Sequence, residues 1–203
     1  MSIFFALPMY GGFCMAPFFE SCLQLEASLS GIPHQICTLT NESAVHRARN
    51  QLAKSFLSSS YERLMFIDSD IEFKAEDVGK LWAMDVDIAV GVYAMKKIDA
   101  KRAAWVDGKL IDDLDKFSGP TEVDYAGTGF MMIKREVFEK MIPFVKPEKT
   151  EQGERIRFFH FPVRDGVELS EDYEFCRAAV SLGFKVIMDP SIKLKHYGLY
   201  GFG

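Results

Sequence analysis

Apolar residues gather in short runs at Ile3 to Leu7, Gln35 to Leu39, Leu64 to Ile67 and Ile88 to Val92. Each is bounded by polar sequence and predicts a buried strand. Between them, segments around Pro17 to Leu29, Ser43 to Leu57 and Ala75 to Met84 carry apolar residues at helical spacing. Strand and helix therefore alternate, which predicts right-handed crossovers, a largely parallel sheet in the first half and a ligand crevice beyond the strands' carboxyl ends. The second half is less regular. Trp105 to Ile111 holds Asp107-Gly108, a type I′ hairpin signal, and Phe130 to Ile133 and Arg157 to Phe161 are further strand candidates. Ser170 is placed to cap a helix running to about Leu182, with Gly183 ending it. Lys185 to Met188 and Ile192 to His196 then predict late strands. The fold class that follows is α/β, with a central mixed, mostly parallel sheet.

The chain has 203 residues with average hydrophobic and charged fractions, which suits one soluble domain with a sizeable core over residues 1–203. A net charge of −5 with dispersed Lys and Arg argues against nucleic acid as a partner. Cys14, Cys22, Cys37 and Cys176 show no CxxC pairing, so reduced, mostly buried thiols are expected, which favours a cytoplasmic setting. Met1 to Phe19 is apolar but has no basic n-region and is broken by Pro8, Gly11, Gly12 and Pro17, so it reads as a first core strand and not as a signal peptide. No run reaches the roughly 18 apolar residues of a membrane segment. The Gly- and aromatic-rich end, Tyr197 to Gly203, suggests that further domains of a longer polypeptide follow.

Leu64 to Asp70 is the most informative stretch, because its apolar run ends in two acids separated by Ser69. In extended chain Asp68 and Asp70 project to the same side at a strand's carboxyl end, where a hard divalent cation would satisfy both. An EF-hand is excluded, since its sixth and twelfth positions hold Phe73 and Gly79. A phosphatase of the haloacid dehalogenase type, with Asp68 as nucleophile, is an alternative, although such enzymes usually carry Asp-x-Asp on their first strand and here it is on the third. The other readings are metal-dependent transfer from a nucleotide diphosphate, a non-catalytic nucleotide-sugar or carbohydrate-binding domain, or acids that merely cap a turn. No Walker or Gly-x-Gly-x-x-Gly loop follows any predicted strand, so a metal would have to neutralise the diphosphate. In the Ser43 to Leu57 helix, Val45, Arg49, Leu52 and Phe56 share one stripe, so Arg49 points to the sheet side, where the readings are pairing with a diphosphate oxygen, pairing with a cleft carboxylate, or snorkelling to water, whereas Arg47 points away.

Arg47-Ala48-Arg49-Asn50, Leu64 to Asp70, Gly91-Val92-Tyr93, Gly127 to Ile133, Ser170 to Cys176 and His196-Tyr197-Gly198 follow one another in an order that resembles the GT-A-fold glycosyltransferases, including those encoded by large algal viruses. The resemblance implies a Rossmann-related, three-layer α/β/α sandwich with a nucleotide-binding half over about 1–97 and an acceptor and catalytic half over about 98–203. It implies an enzyme, a hexosyl- or deoxyhexosyltransferase moving sugar from a UDP-sugar to a glycan or glycoprotein acceptor. Asp68, Asp70 and His196 match the metal ligands, with Mn²⁺ favoured and Mg²⁺ possible, because Mg²⁺ prefers all-oxygen shells. Asp172 matches the general base, and a single base suits inversion. Pro8, Tyr10, Arg47, Arg49, Asn50, Ser69 and Lys96 match nucleotide-sugar contacts, with Tyr10 able to stack on uracil. Gly127, Thr128, Gly129 and Glu171 match the sugar and acceptor pocket, the glycines admitting close backbone approach. Lys97 is a further phosphate candidate, and Gly198, Tyr200 and Gly201 form a tail able to order over donor.

Overall fold

A computed structural model describes residues 1–96, 101–150, 153–164 and 166–198. In chain order its elements are β1 (Ile3–Met9), α1 (Ala16–Ser28), β2 (His34–Thr40), α2 (Val45–Leu57), β3 (Arg63–Ile67), β4 (Ile71–Glu72), α3 (Ala75–Ala83) and β5 (Ile88–Val90). There follow β6 (Ala104–Val106), β7 (Lys109–Leu110), β8 (Thr121–Glu122), β9 (Tyr125–Ala126), β10 (Phe130–Lys134) and α4 (Arg135–Met141). The chain closes with β11 (Pro147–Thr150), β12 (Gly153–Ile156), β13 (Val163–Arg164), β14 (Val167–Glu168), α5 (Glu171–Ser181), β15 (Val186–Met188) and β16 (Lys195–His196).

Seven strands form the central sheet in the order β2-β1-β3-β10-β5-β15-β8. β2, β1 and β3 are mutually parallel, as are β5 and β15, while β10 runs antiparallel between β3 and β5. The apolar runs are continuous because both faces are covered. Phe4, Ala6, Leu64 and Phe66 face a core built with Leu52 and Phe56 of α2, Val137 and Phe138 of α4 and Phe175 of α5. Ile3, Phe5, Leu7, Met65 and Ile67 face the opposite core, with Phe18 and Leu25 of α1 and Val78 and Leu81 of α3. This is the mixed, mostly parallel three-layer sandwich that the alternation predicts. The β6–β7 hairpin also forms at Asp107-Gly108, with φ values of 50° and 70°.

Several local expectations change. Arg157 to Phe161 is not a strand: Phe158 and Phe159 plug into the core, and the Phe159 backbone is paired by the Asn50 side chain and not by a ladder. The strand at Ile88 ends at Val90, although the Gly91 N–H still donates to the Phe130 carbonyl at 3.0 Å; a side chain at Gly91 would meet the Phe130 ring at 2.8 Å and Ile192 at 2.9 Å. In Ile192 to His196 only Lys195 and His196 pair as strand. Ser170 stands at the start of α5, but its hydroxyl bonds the Asp172 carboxylate and not a backbone N–H. Val45 is exposed although it falls on the Arg49 stripe. The four thiols are free, yet only Cys176 is buried and Cys14 is exposed. Among the described residues no helix is long and apolar enough to cross a membrane.

Candidate active site

β3 ends in a tight turn at Asp68-Ser69-Asp70, closed by the Ile71 N–H donating to the Asp68 carbonyl at 3.1 Å. β4 leaves that turn and pairs with β16, placing His196 opposite Ile71. This small ladder carries His196 to Asp70 across 126 positions of sequence, and the Tyr197 N–H donates to the Asp70 carbonyl at 2.9 Å. His196 Nδ1 lies 2.8 Å from the Ala94 carbonyl, which only accepts, so Nδ1 carries a proton. Nε2 then lies 3.5 Å from Asp70 Oδ1, a buried oxygen without a hydrogen-bond partner. The pair presents one ring nitrogen and one carboxylate oxygen, donor types that fit a divalent metal. The other Asp70 oxygen takes the Lys96 ammonium. Burial pushes the Asp70 carboxyl up, but His196 and Lys96 outweigh it and hold the group below its ordinary range.

Asp68 is turned elsewhere. Both its oxygens accept from Arg49 Nη2, at 3.0 and 3.1 Å, while Arg49 Nη1 donates to Glu171 at 3.1 Å. Arg49 is 3% exposed and sits where the helical stripe of α2 places it, with its cleft carboxylate partners in reach. Burial raises both carboxyls above their ordinary values, with Arg49 pulling them back; the same two acids outweigh burial at Arg49 and raise the guanidinium further. Asp68, Asp70 and His196 therefore do not converge on one point: among the described residues no three His, Cys, Asp or Glu side chains do. Asp70 and His196 are brought together, and Arg49 takes the charge of Asp68. Glu171 is buried against Arg49.

Gly127 and Gly129 are needed for a reason the sequence did not reveal. A side chain at Gly127 would fall on the Tyr93 hydroxyl, and one at Gly129 would lie 2.8 Å from the same phenol and 2.9 Å from Asp68 Oδ2. The close approach is to Tyr93. Its hydroxyl accepts from the Gly129 N–H at 3.1 Å, and its ring meets His196 edge-on at 4.9 Å. Tyr93 thus ties the Asp68 turn to His196; its sequence signals are its place just past a strand's carboxyl end and the Gly91-Val92-Tyr93 motif, neither of which assigned it this part. Burial, and then the charges of Asp68 and Asp172, raise its hydroxyl well above the ordinary value.

Asp172, on the first turn of α5, is half-buried; its Oδ1 accepts from Ser170 Oγ and from the Tyr173 N–H at 2.8 Å. Pro8, Tyr10, Ser69, Asp68 and Asp70 line one cavity of about 180 Å³, with Tyr10 exposed at its mouth. Larger hollows lie elsewhere, one beside α4 and α5 and one around Trp82 and Arg135, away from the acid turn. Arg47 pairs with Glu42. Asn50 is 2% exposed, and its amide both donates to and accepts from the Phe159 backbone, at 2.7 and 2.9 Å, so it braces a core segment. Lys97, Tyr200 and Gly201 lie outside the described residues.

Folded interiors pair nearly all their polar atoms. Here Arg49 Nε, Asp70 Oδ1 and Thr128 Oγ1 are buried without hydrogen-bond partners, and all three belong to the segments around the β3 turn.

No protein-family model and no curated protein matches the chain. Solved structures do. A197 from STIV superposes with a TM-score of 0.62 at 21% identity, covering 98% of this chain and 86% of that one. GalNAc-T7, solved with UDP, GalNAc and Mn²⁺, gives 0.55 at 13% identity, covering 99% of this chain and 44% of that one. S. aureus TarS 1-349, solved with UDP-GlcNAc, gives 0.54 at 15%, covering 100% of this chain and 60% of that one. These likenesses establish a GT-A-like fold.

Proposed function

We propose that this chain is a glycosyltransferase that moves a sugar from a UDP-sugar to an acceptor hydroxyl with inversion. The reading is carried by the unpaired buried atoms around the β3 turn, Asp70 Oδ1 opposite His196 above all. It is supported by the fold, since two similar structures were solved with UDP or UDP-GlcNAc, one of them also with Mn²⁺.

Asp70 and His196 would hold a divalent cation, Mn²⁺ in preference to Mg²⁺ because one ligand is an imidazole. When bound, that ion supplies positive charge to a leaving diphosphate. Arg49 is fixed by two carboxylates with Nε unspent, and Lys96 stands beside Asp70, so both are placed to meet phosphate oxygens. Pro8 and Tyr10 at the mouth of the small cavity suit the uracil ring. Asp172 takes the acceptor hydroxyl's proton as that oxygen attacks the anomeric carbon. The bond from that carbon to the diphosphate oxygen breaks, and UDP leaves with the electron pair. Ser170 and the Tyr173 N–H hold one carboxylate oxygen, which orients the other towards the reacting hydroxyl.

Asp172→Asn tests this directly. UDP-sugar affinity should stay within twofold of the parent, while acceptor-dependent UDP release falls by roughly 10²–10⁴-fold. Equal turnover in both proteins would contradict the assignment of the base, and absence of turnover in the parent with every UDP-sugar would favour a binding domain.

A further inference from the structure

Beside Asp172 lies an aromatic group to which the transfer chemistry assigns no part. Tyr173 follows Asp172 on α5, and its ring lies 4.7 Å from that of Tyr125 on β9. Trp105 on β6 stands opposite Tyr125 in the ladder; its ring is 5.4 Å from Tyr125 and 6.4 Å from Tyr173. All three are partly exposed. The Trp105 indole N–H is buried within this group, with the Tyr173 hydroxyl as its neighbour.

We infer that Trp105, Tyr125 and Tyr173 form the acceptor subsite, and that the acceptor is a pyranose glycan and not a hydroxyl of a peptide side chain. The inference rests on the transferase reading and adds the acceptor's chemistry to it. A pyranose presents a flat C–H face bordered by hydroxyls, and Trp and Tyr present apolar faces bordered by N–H and O–H groups, so the two match in both respects. The uracil ring, the other planar ligand, is served by Pro8 and Tyr10 at the β3 turn. Tyr173 follows the base on the first turn of α5 and feels the charge of its carboxylate, so a sugar stacked on this cluster lies beside Asp172.

The chain has 2 tryptophans, and Trp82 lies under the Arg63 guanidinium, 4.0 Å away, outside the site. Trp82→Phe therefore leaves emission from Trp105 alone. With UDP and Mn²⁺ present, methyl glucoside, galactoside, mannoside and N-acetylglucosaminide, the matching disaccharides and a Ser/Thr-rich peptide are titrated in turn. At least one glycoside should shift the emission saturably and the peptide should not. Tyr125→Ala should raise the midpoint about tenfold with UDP affinity unchanged, and Tyr125→Phe, which keeps the ring, should restore it. Emission unmoved by every glycoside while calorimetry shows UDP bound, or moved by the peptide alone, overturns the subsite. Failure to bind UDP overturns the transferase reading beneath it.

Discussion

Gly127→Ala asks whether Tyr93 is what the glycines make room for. The new methyl would fall on the Tyr93 hydroxyl, with Cζ at 3.0 Å and the Ala103 methyl at 3.2 Å. Tyr93 is fully enclosed, its ring against His196 and its hydroxyl on the Gly129 N–H, so it cannot swing aside without losing both. Overpacking of this kind costs about 1–3 kcal/mol. For a chain of this size each kcal/mol moves the melting midpoint by roughly 2–4 °C, which gives a drop of roughly 2–12 °C. Tyr93→Phe removes the atom that clashes. Alone it forfeits one hydrogen bond, about 1 kcal/mol, but in its background Gly127→Ala should cost less than about 1 kcal/mol. Urea denaturation of the parent, both single variants and the double variant gives the interaction energy. A double variant whose loss equals the sum of the singles within about 0.5 kcal/mol would refute the reasoning.

Two further outcomes test the placement of other residues. Asn50→Leu strands the Phe159 N–H and C=O in the core, so stability should fall by about 2–4 kcal/mol in denaturant titration while UDP affinity holds; a selective loss of UDP binding would return Asn50 to the nucleotide site. Burial pushes the Cys22 and Cys176 thiols up to about 12, so at pH 8 almost none of either is thiolate. Thiol labelling of the native protein should then show a fast reaction at exposed Cys14 that Cys14→Ser abolishes, and fast labelling of Cys22 would contradict that burial.

Much of this was legible in sequence where the determinant is local. Four apolar runs and the helical segments between them specify a two-sided sheet, and the stripe through Arg49, Leu52 and Phe56 places a buried cation under the crevice before any partner is known. Asp107-Gly108 specifies its own turn, because both residues tolerate positive φ. What depends on distant pairings was not legible. The β4–β16 ladder brings His196 to Asp70, and nothing in either dipeptide encodes the other; only the resemblance in motif order put the two at one site. Asn50 looks like a ligand-facing polar residue until the Phe159 backbone is seen to lack any other partner. Arg157 to Phe161 has strand composition, yet packing of Phe159 on Phe66 and Phe175 outweighs β propensity there. The Asp68 and Asp70 pattern points both acids at one cation by period alone, and only the folded chain shows Arg49 taking the first.

The central claim is that Asp70 and His196 hold a divalent cation that UDP completes. Isothermal calorimetry of Mn²⁺ with UDP, on the parent and on Asp70→Ala and His196→Ala, tests it most directly. Each variant should lose at least tenfold in Mn²⁺-dependent UDP affinity with its melting midpoint near that of the parent. Unchanged affinity in both would contradict the account.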